Sequence, residues 1–264
     1  MASTAHVPTH GNYHGYYSKR PSMTDARITW LKAELGADFF VGKRVLDVGC
    51  NEGAVTLEIA QTGGATAVVG VDIDASLVRG AWRRRQSLWS TQGPLAGRSC
   101  AYTREDALDY FPASFEHALG PLPIPRATSA KSFPNNVLFR ASDWVKDEIP
   151  EDKSGYDIVL GFSITKWIHL NSGDNGIRQF FKRVYDVLPS GGVFVLEAQP
   201  WDGYKKAKRV GQTPLAPDTL TLRPDDFGDL LVRIGFQSPR RLLIPGAGDE
   251  ERGFRRPVDV YVKS

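Results

Sequence analysis

The sequence predicts one α/β domain, a doubly wound and mostly parallel sheet of seven strands that closes with an antiparallel C-terminal edge hairpin. Three observations carry this. Short β-branched runs alternate with amphipathic helical runs from Lys43 to Trp201. The last two strand-like runs, near Arg240–Ile244 and Pro257–Lys263, have no helix between them, so they are read as the hairpin. The 264 residues, 41% hydrophobic and 24% charged, suffice for one large core and exclude wholesale disorder.

Taken in order, residues 1–23 form an irregular arm rich in Tyr, His, Gly and Ser, without helical or strand periodicity. Thr24–Phe40 reads as a helix with Thr24 as its N-cap. KRVLDVGC, from Lys43, is the first strand, AVTLEIAQT the next helix and AVVGVDID the second strand, together a βαβ unit. SLVRGAWRRRQSLW is amphipathic and helical. NVLFRASDW and the strongly apolar YDIVLGFSIT are strands. NGIRQFFKRVYDVL is a helix stopped by Pro189-Ser190-Gly191-Gly192, and GGVFVLEAQPW is the fifth strand. A polar basic stretch and the helix PDDFGDLLVRIG lead to the hairpin. Residues 91–136, rich in Pro, Gly, Ser and Ala and without a period, are read as a flexible insertion.

Charge and cysteine content narrow the function classes. With 33 Lys and Arg against 30 Asp and Glu, the net charge of +3 gives no general case for a nucleic-acid or membrane partner, so such a case rests on local clusters. Cys50 and Cys100 build neither a disulfide framework nor a four-ligand zinc site, which fits a reducing compartment and predicts no metal. The N-terminus lacks a basic segment followed by an apolar run, and no stretch approaches 18 uninterrupted apolar residues. Secretion and membrane spanning are not expected.

Asp47-Val48-Gly49-Cys50-Asn51-Glu52-Gly53 follows an apolar strand and opens a helix, a DxGxxxG turn whose glycines let backbone approach a ligand. Asp72 lies 25 residues beyond Asp47, at the end of the next strand, where a carboxylate can accept both hydroxyls of a ribose. A pyrophosphate site needs several free amides, as in GxGxxG; here an acid precedes the first glycine. S-adenosylmethionine has no phosphate and carries a positive sulfonium, so an acid near the loop is compatible with it. The alternative is a tight strand-to-helix turn with Asp72 as a helix N-cap.

Four blocks then identify the chain as resembling the S-adenosylmethionine-dependent methylphosphate capping enzymes of small nuclear RNA, the Bicoid-interacting type. They are GNYHGYYSKRPSMTDAR at 11–27, VLDVGCNEG at 45–53, DIVLGFSITKWIHLNSGD at 157–174 and LEAQPW at 196–201. FPNNV at 133–137 and GFRRPV at 253–258 are smaller matches. The nucleotide loop is generic, whereas GNYxxYY and SITKWIHLN are specific. The chain departs from the family's usual LEPQPW at Ala198, and its arm is one residue shorter before Asp25.

The resemblance implies a Rossmann-like class I methyltransferase domain over 1–264, with the arm lying over the cofactor and acceptor site. It implies that Gly49, Cys50 and Asn51 line the methionine end of S-adenosylmethionine, while Asp72 and Ile73 hold ribose and adenine. Asp143 and Trp144 match positions beside the adenine, although Trp144 equally suits core packing. Phe162 matches a residue that packs on the cofactor, and Tyr17 and Arg27 match residues that reach it. An arginine suits the methionine carboxylate; without the resemblance Arg27 is a helix-face charge.

The acceptor implied is the 5′-terminal γ-phosphate of a small non-coding RNA, with a La-related RNA-binding protein as a partner and a nuclear setting. A phosphate oxygen is already anionic at neutral pH, so displacement at a methyl carbon needs alignment and no general base. Lys166 and the Tyr16 hydroxyl are the expected catalytic groups, and Tyr13, Gln199 and Trp201 the expected substrate contacts. His169 is read as a satisfied structural histidine, because no proton need be abstracted. Lys205, Lys206, Lys208 and Arg209, or Arg83, Arg84 and Arg85, either track an RNA backbone or form solvated faces. Rival readings are a 5′-monophosphate RNA or small-molecule methyltransferase, and an RNA-binding scaffold whose catalysis is dispensable.

Overall fold

Asp25, rather than Thr24, caps the first helix. Its carboxylate accepts from the Arg27 amide at 3.0 Å and also binds the Arg27 guanidinium, a double role that a threonine hydroxyl cannot fill. This helix, α1, spans Ala26–Leu35 and stops before Phe40 because Gly36 follows at φ 114°. The computed structural model describes residues 10, 24–92, 112–124, 131–210, 214–243 and 256–264, without the side chains of 206 and 208–210.

The strands are β1 (Arg44–Val48), β2 (Ala67–Asp72), β3 (Val137–Ala141), β4 (Ile158–Phe162), β5 (Val193–Glu197), β6 (Arg240–Leu242) and β7 (Val258–Val262). The helices after α1 are α2 (Ala54–Thr62), α3 (Ala75–Thr91), α4 (Ala113–Leu119), α5 (Thr165–Val187), α6 (Asp202–Val210) and α7 (Phe227–Ile234). The sheet order is β3-β2-β1-β4-β5-β7-β6. The first five strands are parallel, and β7 is antiparallel to both β5 and β6. The predicted closing hairpin is thus present, with its second strand placed inward of its first.

β4 is buried along its whole length, as expected where helices cover both faces of a parallel sheet. Neighbouring residues serve opposite faces. Val45 packs with Ile28, Leu57 and Ile59, whereas Leu46 packs with Val69, Phe180 and Phe194. The strand order reverses between β1 and β4, which opens a crevice beyond their carboxyl ends.

Two sequence expectations change. α4 lies inside the 91–136 insertion, where no helical period was expected, and docks on α3, where Ser87 Oγ donates to Glu116 Oε2 at 2.9 Å and Ser90 Oγ accepts from the Leu122 amide at 2.6 Å. Seven residues are too few to show a helical period. The polar basic stretch after Trp201 is α6.

α5 starts well before Asn175 and is broken at Gly173, which has φ 67° and ψ −169°. The Asp174 carboxylate at the break meets His169 Nε2 at 2.7 Å and accepts from the amides of Thr221 and Leu222 at 3.0 and 3.3 Å. Burial alone would raise its pKa, yet hydrogen bonds from Thr221, His169 and Leu222 hold it down at about 2. His169, fully buried with Tyr204 OH 3.3 Å from Nδ1, is the structural histidine expected from the sequence.

Candidate active site

The crevice is built where β1, β2, β4 and β5 end. The amides of Gly49 and Cys50 both donate to Val71 O, at 2.8 and 3.1 Å, which pins the loop after β1 to β2. Gly49 has φ 77°, and a Cβ there would stand 2.6 Å from Ile164 Cδ1, so only glycine fits. Asn51 is also left-handed, at φ 52°, a conformation that its short polar side chain tolerates. Cys50 is buried against Gly70, and burial raises its thiol well above the ordinary value.

Asp72 faces this turn. One of its oxygens accepts from Asn51 N at 2.8 Å and the other from Asp74 N at 3.0 Å, while burial raises its pKa. A carboxylate has about four lone-pair sites, so one on each oxygen remains for a ribose hydroxyl. The N-cap of α3 is Asp74, whose carboxylate takes Ser76 N at 2.6 Å, and this removes the capping alternative for Asp72. Ile73 beside it is 41% exposed, an apolar surface fit to underlie a base. Asp47, bonded by Thr56 Oγ1 at 2.6 Å, is pushed by burial up to about 6.

Other expected cofactor residues divide. Asp143 follows the end of β3 and pairs with Lys146 at 2.8 Å, while Ser142 N donates to Asp72 O at 3.0 Å and ties this end to β2. Trp144 is core: it is buried against Phe180, and its Nε1 donates to the Asp152 carboxylate at 3.2 Å. The packing alternative for its ring is therefore the one found. Phe162 lies 4.4 Å beneath the Arg27 guanidinium.

Arg27 is 2% exposed and joins both ends of the chain's architecture. It binds Asp25 through Nε at 2.8 Å and Nη2 at 2.7 Å, and Glu197 through Nη1 at 2.5 Å. Glu197, fully buried at the end of β5, also accepts from Ser163 Oγ and Arg256 Nη1, both at 2.9 Å. Sequence reasoning missed Glu197, Ser163 and Arg256 as site components. The signal lies in LEAQPW and GFRRPV, two blocks whose opposite charges, Glu197 and Arg256, pair with each other.

At the β4–α5 junction, Lys166, an expected acceptor residue, is half-buried with its ammonium 4.4 Å from the Trp167 ring centre. Burial, and then the Arg256 charge, lower its pKa to about 8. Gln199 is buried: its Oε1 accepts from Thr165 Oγ1 at 3.2 Å and Lys166 N at 3.1 Å, and its Nε2 donates to Ser163 O. It braces the β4–α5 junction on which Lys166 rides. The Trp201 ring has Arg223 at 3.7 Å and Tyr204 at 4.7 Å. Lys205 is exposed, whereas Arg85 donates to Pro134 O at 2.7 Å.

Tyr13, Tyr16 and Tyr17 lie outside the described residues, as do Cys100 and the side chains of Lys206, Lys208 and Arg209. Among the described residues no group of three or more His, Cys, Asp and Glu is placed to hold a metal, and no helix is long and apolar enough to cross a membrane.

Comparison with known proteins agrees with this geometry. A Methyltransferase domain model matches residues 45–119, and the Bicoid-interacting protein 3 (Bin3) model matches residues 156–263. The chain is 36% identical to the mouse 7SK snRNA methylphosphate capping enzyme over 97% of its own length and 40% of that protein's. It is 33% identical to a probable RNA methyltransferase of Arabidopsis thaliana, covering 96% of this chain and 80% of that one. A Xenopus laevis Pre-miRNA 5′-monophosphate methyltransferase is 26% identical over 76% and 70% of the two chains. Among solved structures, the Bradyrhizobium japonicum N-methyltransferase NodS with S-adenosyl-L-homocysteine superposes at a TM-score of 0.56, with 11% identity over 96% of this chain and 94% of that one. The fold is therefore that of class I S-adenosylmethionine-dependent methyltransferases, as the sequence led one to expect. The chain spans about 40% of the mouse enzyme's length. With the nucleotide turn, the buried carboxylate of β2 and these matches together, the chain belongs to the Bicoid-interacting protein 3 family of RNA methyltransferases.

Proposed function

We propose that the protein transfers a methyl group from S-adenosylmethionine to the 5′-terminal γ-phosphate of a small non-coding RNA. The observation that carries this is Lys166, a half-buried ammonium at the crevice with no carboxylate against it among the described residues. A compact cation of this kind suits a phosphate oxygen. The names of the mouse and Xenopus relatives support an RNA 5′ phosphate as acceptor.

In this reading the bound cofactor supplies an electrophilic methyl carbon. Asp72 holds the ribose, and the Gly49-Cys50-Asn51 turn, Phe162, Tyr17 and Asp143 border the rest of the cofactor. Arg27, fixed by two carboxylates, brings positive charge to the methionine end. Lys166 and the Tyr16 hydroxyl orient the terminal phosphate so that one anionic oxygen faces the methyl carbon, and Tyr13 and Trp201 contact the RNA. No group has to remove a proton, because the attacking oxygen carries none at neutral pH. Single-turnover transfer of labelled methyl to RNAs ending in 5′-triphosphate, 5′-monophosphate or 5′-hydroxyl tests the reading. Preference for triphosphate supports it. Preference for monophosphate favours the acceptor named for the Xenopus relative, and RNA binding without transfer to any end favours a scaffold. On the resemblance alone, the reading extends to a La-related RNA-binding protein as companion and to the nucleus.

Two expected results concern the cofactor. Asp72→Ala weakens S-adenosylmethionine binding by about 1.5–3 kcal/mol, the range for hydrogen bonds to a charged group. Unchanged calorimetric affinity in a folded variant removes Asp72 from the site. Asp47 is ionised above its pKa of about 6 and protonated below it. Its attraction for the cofactor's positive charge is therefore lost as pH falls, and affinity should drop from about pH 7 to about pH 5. Asp47→Asn should flatten this slope; an equal slope in both proteins assigns it elsewhere.

A further inference from the structure

Arg256 stands just before β7, and its guanidinium reaches the ends of β4 and β5. Nη1 donates to Ser163 Oγ at 3.0 Å and Glu197 Oε1 at 2.9 Å. Its Nη2 and Nε have no partner among the described residues, and 24% of the side chain remains exposed. Glu197 holds this guanidinium by one oxygen and Arg27 by the other, so one buried carboxylate positions both arginines.

Lys166 lies three residues beyond Ser163, whose hydroxyl takes Arg256, and Gln199 ties the two positions together by accepting from Lys166 N and donating to Ser163 O; the Arg256 charge accordingly lowers the Lys166 pKa. Among the described residues the charged groups nearby include Glu197, behind Arg256, with Arg27 on its other oxygen, and Asp202 on α6, next to Gly203, where an added Cβ would stand 4.0 Å from the Lys166 ammonium. Two cations thus converge at a half-buried place without an anion between them among the described residues. Like charges so arranged repel, and a bound anion relieves the repulsion. The end of α5 does not supply the site: Lys166 N is taken by Gln199, and the amides of Trp167 and Ile168 by Ile164 O.

We propose that Arg256 is a second phosphate-binding residue of the acceptor site, acting with Lys166 on a 5′-polyphosphate, and that Glu197 is its positioning residue. The inference rests on the acceptor reading above. The two cations divide the work by their shapes. A lysine makes a point contact near the transferred phosphate's oxygen, whereas an arginine fork suits the phosphate oxygens that do not react. A monophosphate has no second group for the fork, so Arg256 discriminates between the two kinds of 5′ end.

The test uses the full chain with Arg256→Lys and Arg256→Gln. Arg256→Gln should raise KM for 5′-triphosphate RNA about tenfold or more, and KM for 5′-monophosphate RNA less than about threefold. Arg256→Lys, which keeps a charge beside Glu197, should show the same contrast at smaller size, with S-adenosylmethionine affinity within about twofold of the parent. In Arg256→Gln the alkaline limb of kcat/KM, set by Lys166 near pH 8, should move to higher pH because the neighbouring charge is gone. In Arg256→Lys the limb should stay. A residue that only supports the fold would not separate the two variants in this way. Equal losses on both RNA ends, or an unmoved limb in Arg256→Gln, overturn the inference while leaving the acceptor reading intact. If Arg256→Gln does not fold, the KM contrast in Arg256→Lys decides. If the parent methylates no 5′ phosphate, the acceptor reading fails instead, and calorimetry with inorganic tripolyphosphate still judges Arg256: weaker binding to Arg256→Lys supports the anion site and equal binding overturns it.

Discussion

Lys166→Ala is expected to cut single-turnover methyl transfer by about a hundredfold or more, the usual effect of removing one preorganised group from a reacting oxygen. S-adenosylmethionine affinity should be nearly unchanged, since Asp72 and the glycine turn stand on β1 and β2 and Lys166 on α5. RNA affinity should fall far less than turnover, because one ammonium is a single phosphate contact among many. Lys166→Arg keeps the charge but replaces a compact ammonium with a planar fork, so it should remain impaired. Reduced RNA affinity with undiminished single-turnover rates on saturating RNA would make Lys166 a binding residue only.

Glu197→Ala is expected to be the most destabilising single change in the site, at about 3–5 kcal/mol, because a buried pair broken on one side leaves charge uncompensated. Arg27, 2% exposed, would lose one of its two carboxylates, and Arg256 its fixed position. Glu197→Gln keeps the shape and one acceptor and should lose less. Denaturant midpoints for the parent and both variants order these effects. An alanine variant as stable as its parent would mean that water replaces the carboxylate without cost.

What the sequence revealed of this region, and what it concealed, follows from chain distance. VLDVGCNEG and AVVGVDID made the loop and its partner Asp72 legible, because hydrophobic period and turn chemistry are local. The break at Gly173 is legible in principle from Ser172-Gly173-Asp174-Asn175-Gly176, whereas the short helical run before it, from Thr165, follows an apolar strand too closely for its own period to show. The Arg27–Glu197 pair spans 170 residues and no local pattern announces it. Trp144 and Gln199 show the converse: matched to a site by position, they are buried and bonded within the protein, a distinction set by side-chain direction. The aromatic arm, with Tyr13, Tyr16 and Tyr17, lies outside the described residues.

The inward position of β7 imposes an order of assembly during synthesis. β7 pairs with β5 on one side and β6 on the other, although it is the last of the seven to leave the ribosome. A nascent chain that has not yet reached Val258 can assemble the parallel strands and the cofactor loop, but its β6 has no neighbour to join and the free edge of β5 is open to other chains. Arg256 arrives with that same final strand. On the reading proposed above, the residues that border the methyl donor and Lys166 itself all precede this strand, so a chain cut short at this point would lack the second phosphate-binding cation and the partner that Glu197 holds with its other oxygen.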